Sequence, residues 1–236
     1  MNTEESINEV IILAGGLGTR LKSAVPDLPK CMAPVAGKPF LSYVIDHCLE
    51  QGLNRFIFSL GYKHETVEDY LSDKHSLLDM EYVIEEEPLG TGGAIQLAIA
   101  GVAGKDVLIL NGDTLFKFDL PSLQNLHSFT NADCTLALKP MQKFDRYGVV
   151  RLDDDKFITS FEEKKFYSEG LINAGAYCLN TERFRNEKHP DHFSFEKDYL
   201  EPKAGTKKLS GLVQEKYFID IGIPADFERA QLELSA

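Results

Sequence analysis

Two rhythms of apolar residues alternate along this chain. Short runs of consecutive apolar positions, or runs broken at every second residue, mark strand candidates at 10–14, 55–60, 81–84, 106–110, 134–138, 148–152, 157–161, 173–179 and 217–219. Between them the spacing predicts helices at 39–50, 64–71, 92–100 and 225–234. In the first of these, Leu41, Val44, Ile45, Cys48 and Leu49 make one apolar face, Pro39 suits the first turn and Gly52 the end. Such alternation predicts an α/β fold, a mostly parallel sheet covered by helices on both faces. No internal repeat, low-complexity stretch or clear linker interrupts it, so a single domain is expected. In open sheets of this kind ligands bind beyond the carboxyl ends of the strands, which directs attention to the strand tips.

The first tip reads Leu13-Ala14-Gly15-Gly16-Leu17-Gly18-Thr19-Arg20-Leu21, followed by Pro29-Lys30. Glycines lack Cβ atoms, so their backbone N–H groups can approach an anion closely. Thr19 adds a hydroxyl, and Arg20 a charged fork suited to phosphate. The segment lacks the third glycine of a dinucleotide fingerprint and the Gly-Lys-Ser/Thr of a P-loop. A plain strand-ending turn is the alternative; Arg20 and Lys30 weigh against it, and residues 21–29 read as a mobile loop.

Two more tips deliver carboxylates, Asn111-Gly112-Asp113 and Ile219-Asp220-Ile221-Gly222. Together Asp113 and Asp220 suit one Mg²⁺ shared with phosphate oxygens and water; singly, each suits the capping of a turn. Glu85-Glu86-Glu87-Pro88-Leu89-Gly90-Thr91-Gly92-Gly93 ends another strand, with glycines that allow close approach of a base or sugar. Glu85 is acceptor-only and matches the two adjacent donors on the Watson–Crick edge of guanine, whereas a glutamine would suit uracil or thymine. Glu163 and Lys164 at the end of a further strand suit sugar hydroxyls and a sugar phosphate, with a surface ion pair as the alternative. Asp153-Asp154-Asp155 matches a D-x-D pattern but reads as a solvated turn between strands.

Composition narrows the choice. With 236 residues and 43% hydrophobic content the chain can bury an ordinary core. Its net charge of −12 argues against nucleic-acid and membrane-surface partners, so an anion site must gather its cations locally, at Arg20, Lys22 and Lys30. Cys31, Cys48, Cys134 and Cys178 are too widely spaced for a zinc or redox motif, and the six histidines lack metal-ligand spacing. The opening MNTEESINE is polar and acidic, unlike a signal peptide. No apolar run approaches the roughly 20 residues that span a bilayer. A cytoplasmic protein with reduced thiols is expected.

Taken in order, the motifs LAGGLGTRL, Pro29-Lys30, Gly37-Lys38-Pro39, EPLGTGGA (87–94), NGD (111–113), YGVV (147–150), FEEK (161–164), NAGAY (173–177) and DIG (220–222) resemble the sugar-1-phosphate nucleotidyltransferases over nearly the whole chain. FDRYGVV and LINAGAY are most similar to the members that guanylylate a manno-heptose 1-phosphate. The resemblance implies a Rossmann-like (GT-A-like) domain, with a nucleotide-binding half at about 8–135 and a sugar-phosphate-binding half at about 136–236. It also implies transfer of GMP from GTP to a sugar 1-phosphate with release of pyrophosphate, using Mg²⁺. By the same resemblance Arg20, Lys30 and Asp113 are catalytic, and Asp113 and Asp220 hold the metal. Leu13, Gly15, Gly16, Gly18, Thr19, Glu85, Pro88, Gly90 and Thr91 bind the nucleotide. Asn111, Gly148, Glu163, Lys164 and Asn173 bind the sugar phosphate. Mannose 1-phosphate, or UTP with an amino-sugar 1-phosphate, are rival pairs. A silent regulatory relative would usually have lost one of Arg20, Lys30, Asp113 and Asp220, and all four are present. Cys31 stands where relatives often carry a second proline, which implies a change in loop stiffness.

Overall fold

A computed structural model describes residues 6–16, 21 and 25–235. Leu17, Gly18, Thr19, Arg20 and Lys22, singled out above, lie outside the described residues. The chain begins with strand β1 (Glu9–Leu13), then a small hairpin of β2 (Pro34–Val35) and β3 (Lys38–Pro39), helix α1 (Phe40–Glu50), β4 (Arg55–Leu60), α2 (His64–Lys74), β5 (Asp79–Ile84) and α3 (Gly90–Ala98). Next come β6 (Asp106–Asn111), β7 (Thr114–Phe116), α4 (Leu120–Thr130), β8 (Cys134–Phe144), β9 (Val150–Leu152), β10 (Ile158–Phe161) and β11 (Tyr167–Asn180). The last elements are α5 (Thr181–Asn186), a π-helical turn at Phe195–Leu200, β12 (Leu209–Val213), β13 (Phe218–Asp220) and α6 (Pro224–Glu233).

The main sheet has nine strands. Its parallel half runs β5-β4-β1-β6, with Ile11 opposite Ile57 on one side and Ile109 on the other. The long β11 then joins antiparallel to β6 along one edge and to β8 along the other, and β12 closes parallel to β8. The helical crossovers of the first half and the hairpin-like returns of the second account for this change of direction. Between Asn173 and Tyr177 the register of β11 against β8 shifts, and Gly175 at the bulge has φ +74°. Such a backbone is easiest for glycine, and a bulge of this kind re-aims neighbouring side chains.

Alternation along the buried strands sends apolar side chains to both faces. Val10, Ile12, Phe56, Phe58, Leu108 and Leu110 pack with Phe40, Leu41, Val44 and Ile45 of α1 and Val67 and Leu71 of α2. Ile11, Ile57, Val107 and Ile109 pack on the opposite side with Ile95 and Ala98 of α3, Phe184 of α5 and Phe195 and Tyr199 of the π-helical turn. Each fully buried side chain of this size contributes about 1.5–3 kcal/mol. Helix α1 ends as its sequence suggests: Gly52 (φ +84°) donates to the Leu49 carbonyl and Leu53 to the Cys48 carbonyl, at 3.0 and 3.1 Å. Asp153 receives the Phe157 N–H on its side chain at 2.8 Å, while Asp154 and Asp155 face solvent, so this acidic run is a turn. The four cysteines are buried and unpaired, and burial pushes the Cys31 thiol up to about 12. Among the described residues no helix is long and apolar enough to cross a membrane.

Candidate active site

The parallel strands β1, β4, β5 and β6 end at one edge, and their exits are bound to one another. Ala14 N–H donates to the Ser59 carbonyl, Tyr62 N–H to Gly15, Glu85 N–H to Leu60 and Gly112 N–H to Leu13, at 2.7–3.3 Å. Gly15 lies so close to β4 and β5 that a Cβ there would come within 2.5 Å of Glu85 Oε1. Glu85 therefore sits directly against the glycine-rich turn. Its Oε1 accepts from Ser59 Oγ at 3.2 Å and its Oε2 from Leu89 N–H at 3.1 Å, which fixes a carboxylate with spare acceptor directions at the strand ends.

Asp113 and Asp220 are brought together by a two-stranded ribbon. β7 pairs antiparallel with β13, Thr114 opposite Asp220, and Ile221 N–H donates to the Asp113 carbonyl at 3.1 Å. Between the two carboxylates lies the Lys30 ammonium, paired with Asp113 Oδ2 and 3.6 Å from Asp220 Oδ1. Lys30 is largely buried, and Asp113 is the most open of the three. Asp113 Oδ1 accepts from Thr114 Oγ1 at 3.1 Å, and Asp220 Oδ1 accepts from Gly222 N–H at 2.7 Å. The donor set suits a hard divalent cation, two carboxylates presented to one positive centre. Among the described residues no three acidic, histidine or cysteine side chains converge on one metal position, so other oxygen ligands must complete any shell, as Mg²⁺ commonly requires.

A second cluster forms at the bulge in β11. Asn173 Nδ2 donates to Tyr177 Oη at 2.9 Å and Glu196 Oε1 at 3.2 Å, while its Oδ1 accepts from Gly175 N–H at 3.1 Å. Asn111 packs against Gly175, where a Cβ would come within 2.8 Å of Asn111 Nδ2. Glu196 is open to solvent on one side and ringed by protein on the others. That surrounding mass raises its carboxyl above the usual range, and nearby Lys164 pulls it back. Glu163 and Lys164 are exposed; the Glu163 carbonyl accepts from Tyr167 Oη at 3.0 Å.

Pro88, Gly90, Thr91 and Gly148 have partners within the chain. Thr91 Oγ1 accepts from Phe195 N–H at 2.9 Å, and the Pro88 carbonyl accepts from His192 Nδ1 at 2.8 Å. A Cβ on Gly90 would meet the Phe193 carbonyl, and one on Gly92 its ring. On their Cβ side these glycines lie close to the chain's own 191–195 segment. Gly148 likewise rests on the Glu162 carbonyl. Sequence reasoning missed Arg146, Tyr147, Asp226 and Glu196; the first two lie inside FDRYGVV, quoted above only for its likeness.

The nucleotidyl transferase profile matches residues 9–236. The D-glycero-alpha-D-manno-heptose 1-phosphate guanylyltransferase of Aneurinibacillus thermoaerophilus is 49% identical over 226 residues, covering 96% of this chain and 98% of that protein. The protein of the same description from Campylobacter jejuni is 42% identical, covering 93% and 96%. The crystal structure of HddC from Yersinia pseudotuberculosis complexed with GMP-PN is 38% identical and superposes with a TM-score of 0.86, covering 97% of this chain and all of that one. A putative glucose-1-phosphate thymidylyltransferase from Bacillus anthracis, at 19% identity and a TM-score of 0.80, shares the fold.

Proposed function

Because the chain belongs to the nucleotidyl transferase family, we propose that it transfers GMP from GTP to D-glycero-α-D-manno-heptose 1-phosphate and releases pyrophosphate. The observation that carries this reading is the meeting of Lys30, Asp113 and Asp220 at the strand ends, on the same edge as Glu85 and Gly15. Two relatives described as heptose 1-phosphate guanylyltransferases, matched over nearly their whole length, support the substrate pair.

An oxygen of the sugar phosphate attacks the α-phosphorus of GTP in line. A new P–O bond forms as the bond to the β-phosphate bridging oxygen breaks, and pyrophosphate leaves with the electron pair. Little covalent work falls to the protein, so positioning and charge neutralisation dominate. Two anionic reactants repel, and Lys30 places a buried positive charge where they meet. Asp113 and Asp220 would hold Mg²⁺, which supplies charge neutralisation across the phosphate oxygens when bound. Glu85 accepts from guanine N1–H and the 2-amino group. Gly15, Gly16, Gly18, Thr19 and Arg20 are assigned to the triphosphate, and Asn111, Gly148, Glu163, Lys164 and Asn173 to the sugar phosphate. The cytoplasm, where GTP is available, is the compartment this reaction requires.

Pyrophosphate release with Mg²⁺, across four nucleoside triphosphates and a panel of sugar 1-phosphates, tests the proposal. Release with GTP and the manno-heptose 1-phosphate is expected. Release with another pair would reassign the substrates, and none from folded, GTP-binding protein would overturn the reaction. Asp113→Ala should cut turnover by about a thousandfold or more while the melting temperature holds; near-normal turnover would remove Asp113 from the metal site.

A further inference from the structure

Asp220 ends a three-residue strand whose ladder partner is the equally short β7, so backbone pairing alone holds its side chain weakly. The donors around it divide by oxygen. Oδ1 faces Gly222 N–H and Lys30, the side that looks toward Asp113. Oδ2 faces Tyr147 Oη at 3.4 Å and Arg146 Nη2 at 3.6 Å. Burial, with Asp220 adding to it, pushes the Tyr147 phenol up to about 12, so it stays a donor.

Arg146 belongs to the loop between β8 and β9, far in sequence from either strand tip. The other arm of its guanidinium, Nη1, pairs with Asp226 in the first turn of α6. Asp226 is 13% exposed and meets Arg229 Nη1 at 3.0 Å with its second oxygen; Arg229 in turn reaches Glu233 at 3.3 Å. The guanidinium carbon lies 5.4 Å from the Tyr147 ring centre, and that ring packs edge-on against Phe218 of β13 at 5.7 Å. One planar fork thus spans two carboxylates, a geometry that a lysine ammonium does not reproduce. Its charge is largely spent on Asp226, so it steadies Asp220 without adding a full uncompensated positive charge beside it.

We propose that Arg146 is a positioning residue for the metal site: anchored on Asp226, it holds one oxygen of Asp220 so that the other stays turned toward Asp113. The inference rests on the reading of Asp220 as a metal ligand. Partners that orient metal ligands typically matter by about 10- to 100-fold in metal affinity. Removing Asp226 should also harm the site, because Arg146 would then turn fully onto Asp220 and oppose the incoming cation.

The test is Mn²⁺ titration of the ligand-free full chain, followed by electron paramagnetic resonance. Wild type should bind and Asp220→Asn should lose binding. Arg146→Met should weaken it about 10- to 100-fold, Arg146→Lys should recover part, and Asp226→Asn should weaken it too. Arg146→Met combined with Asp226→Asn should be no worse than Arg146→Met alone. In turnover, Arg146→Met should lower kcat with little change in KM for the sugar phosphate. Loss in Asp220→Asn with wild-type binding in Arg146→Met would overturn this inference and leave the metal reading standing. Binding by Asp220→Asn as tight as wild type would remove both, as would failure of wild type to bind Mn²⁺ even with a non-hydrolysable GTP analogue present to supply phosphate oxygens; if binding needs the analogue, the variants are compared with it present. A raised KM for the sugar phosphate with Mn²⁺ affinity unchanged would make Arg146 a substrate contact instead. If Arg146→Met does not fold, Arg146→Lys and Asp226→Asn decide the question.

Discussion

Two glycine-rich segments look alike in the sequence and differ in the fold. At the exit of β1, Gly16 is exposed, and no described atom lies within 4 Å of where its Cβ would stand. At the start of α3, Gly90, Gly92 and Gly93 have those positions taken by Phe193, Asp191 and Leu89. In the first segment Gly15 is packed against Glu85, and Gly16 is the glycine with open space around it among the described atoms. The second has already used its room to seat residues 191–195, which Gly92 N–H and Thr91 Oγ1 then fasten to the helix start. A missing Cβ records a close approach, and only the fold tells whether a ligand or the chain itself makes it.

The largest effect that separates the two is expected at Gly92. Gly92→Ala drives a methyl into the buried Phe193 ring, overpacking of a kind that costs up to about 3 kcal/mol. Chemical denaturation should show that loss. A variant as stable as wild type would mean that the 191–195 segment yields freely, and the contrast between the segments would collapse.

The same contrast explains what the sequence made legible. β1, β4 and β6 announce themselves because a strand buried on both faces needs an unbroken apolar run, and the run at 55–60 coincides with β4. α4 escaped because its burial is uneven: Leu120, Leu123 and His127 are buried while Phe129 is 87% exposed, so its period is blurred. β12 escaped because Ser210 and Gly211 fill two of its four buried or half-buried places. Asp113, Asp220 and Glu85 could be picked out as candidates because a strand tip is a predictable place for chemistry. Arg146 and Glu196 could not, since each lies in a loop or turn whose position depends on long-range packing.

Gly16→Ala probes the open segment. Since its Cβ meets no described atom, the melting temperature should stay at the wild-type value. If a phosphate lies against that backbone, kcat/KM for GTP should fall by about a hundredfold, the scale of losing one preorganised donor to a developing charge. Steady-state kinetics beside a thermal melt separates these readouts. Unchanged kinetics would place the triphosphate away from Gly16.

The smallest effect is expected where the two segments meet. Glu85 touches Gly15 on one side and takes the Leu89 N–H, one residue before α3, on the other. Its carboxylate therefore reports on both. Glu85→Gln keeps the shape and one acceptor but turns the second into a donor, which faces the guanine donors with its own N–H. The preference for GTP over UTP should fall by about tenfold, equivalent to about 1.4 kcal/mol, with total turnover on the better nucleotide less affected. The nucleotide profile of pyrophosphate release measures this directly. If the profile is unchanged, the base is read by backbone groups, and Glu85 instead serves the fold by tying Ser59 of β4 to the start of α3. A loss of stability without a change of profile would then be the matching result, and it would move Glu85 from the open segment's account to the closed one's.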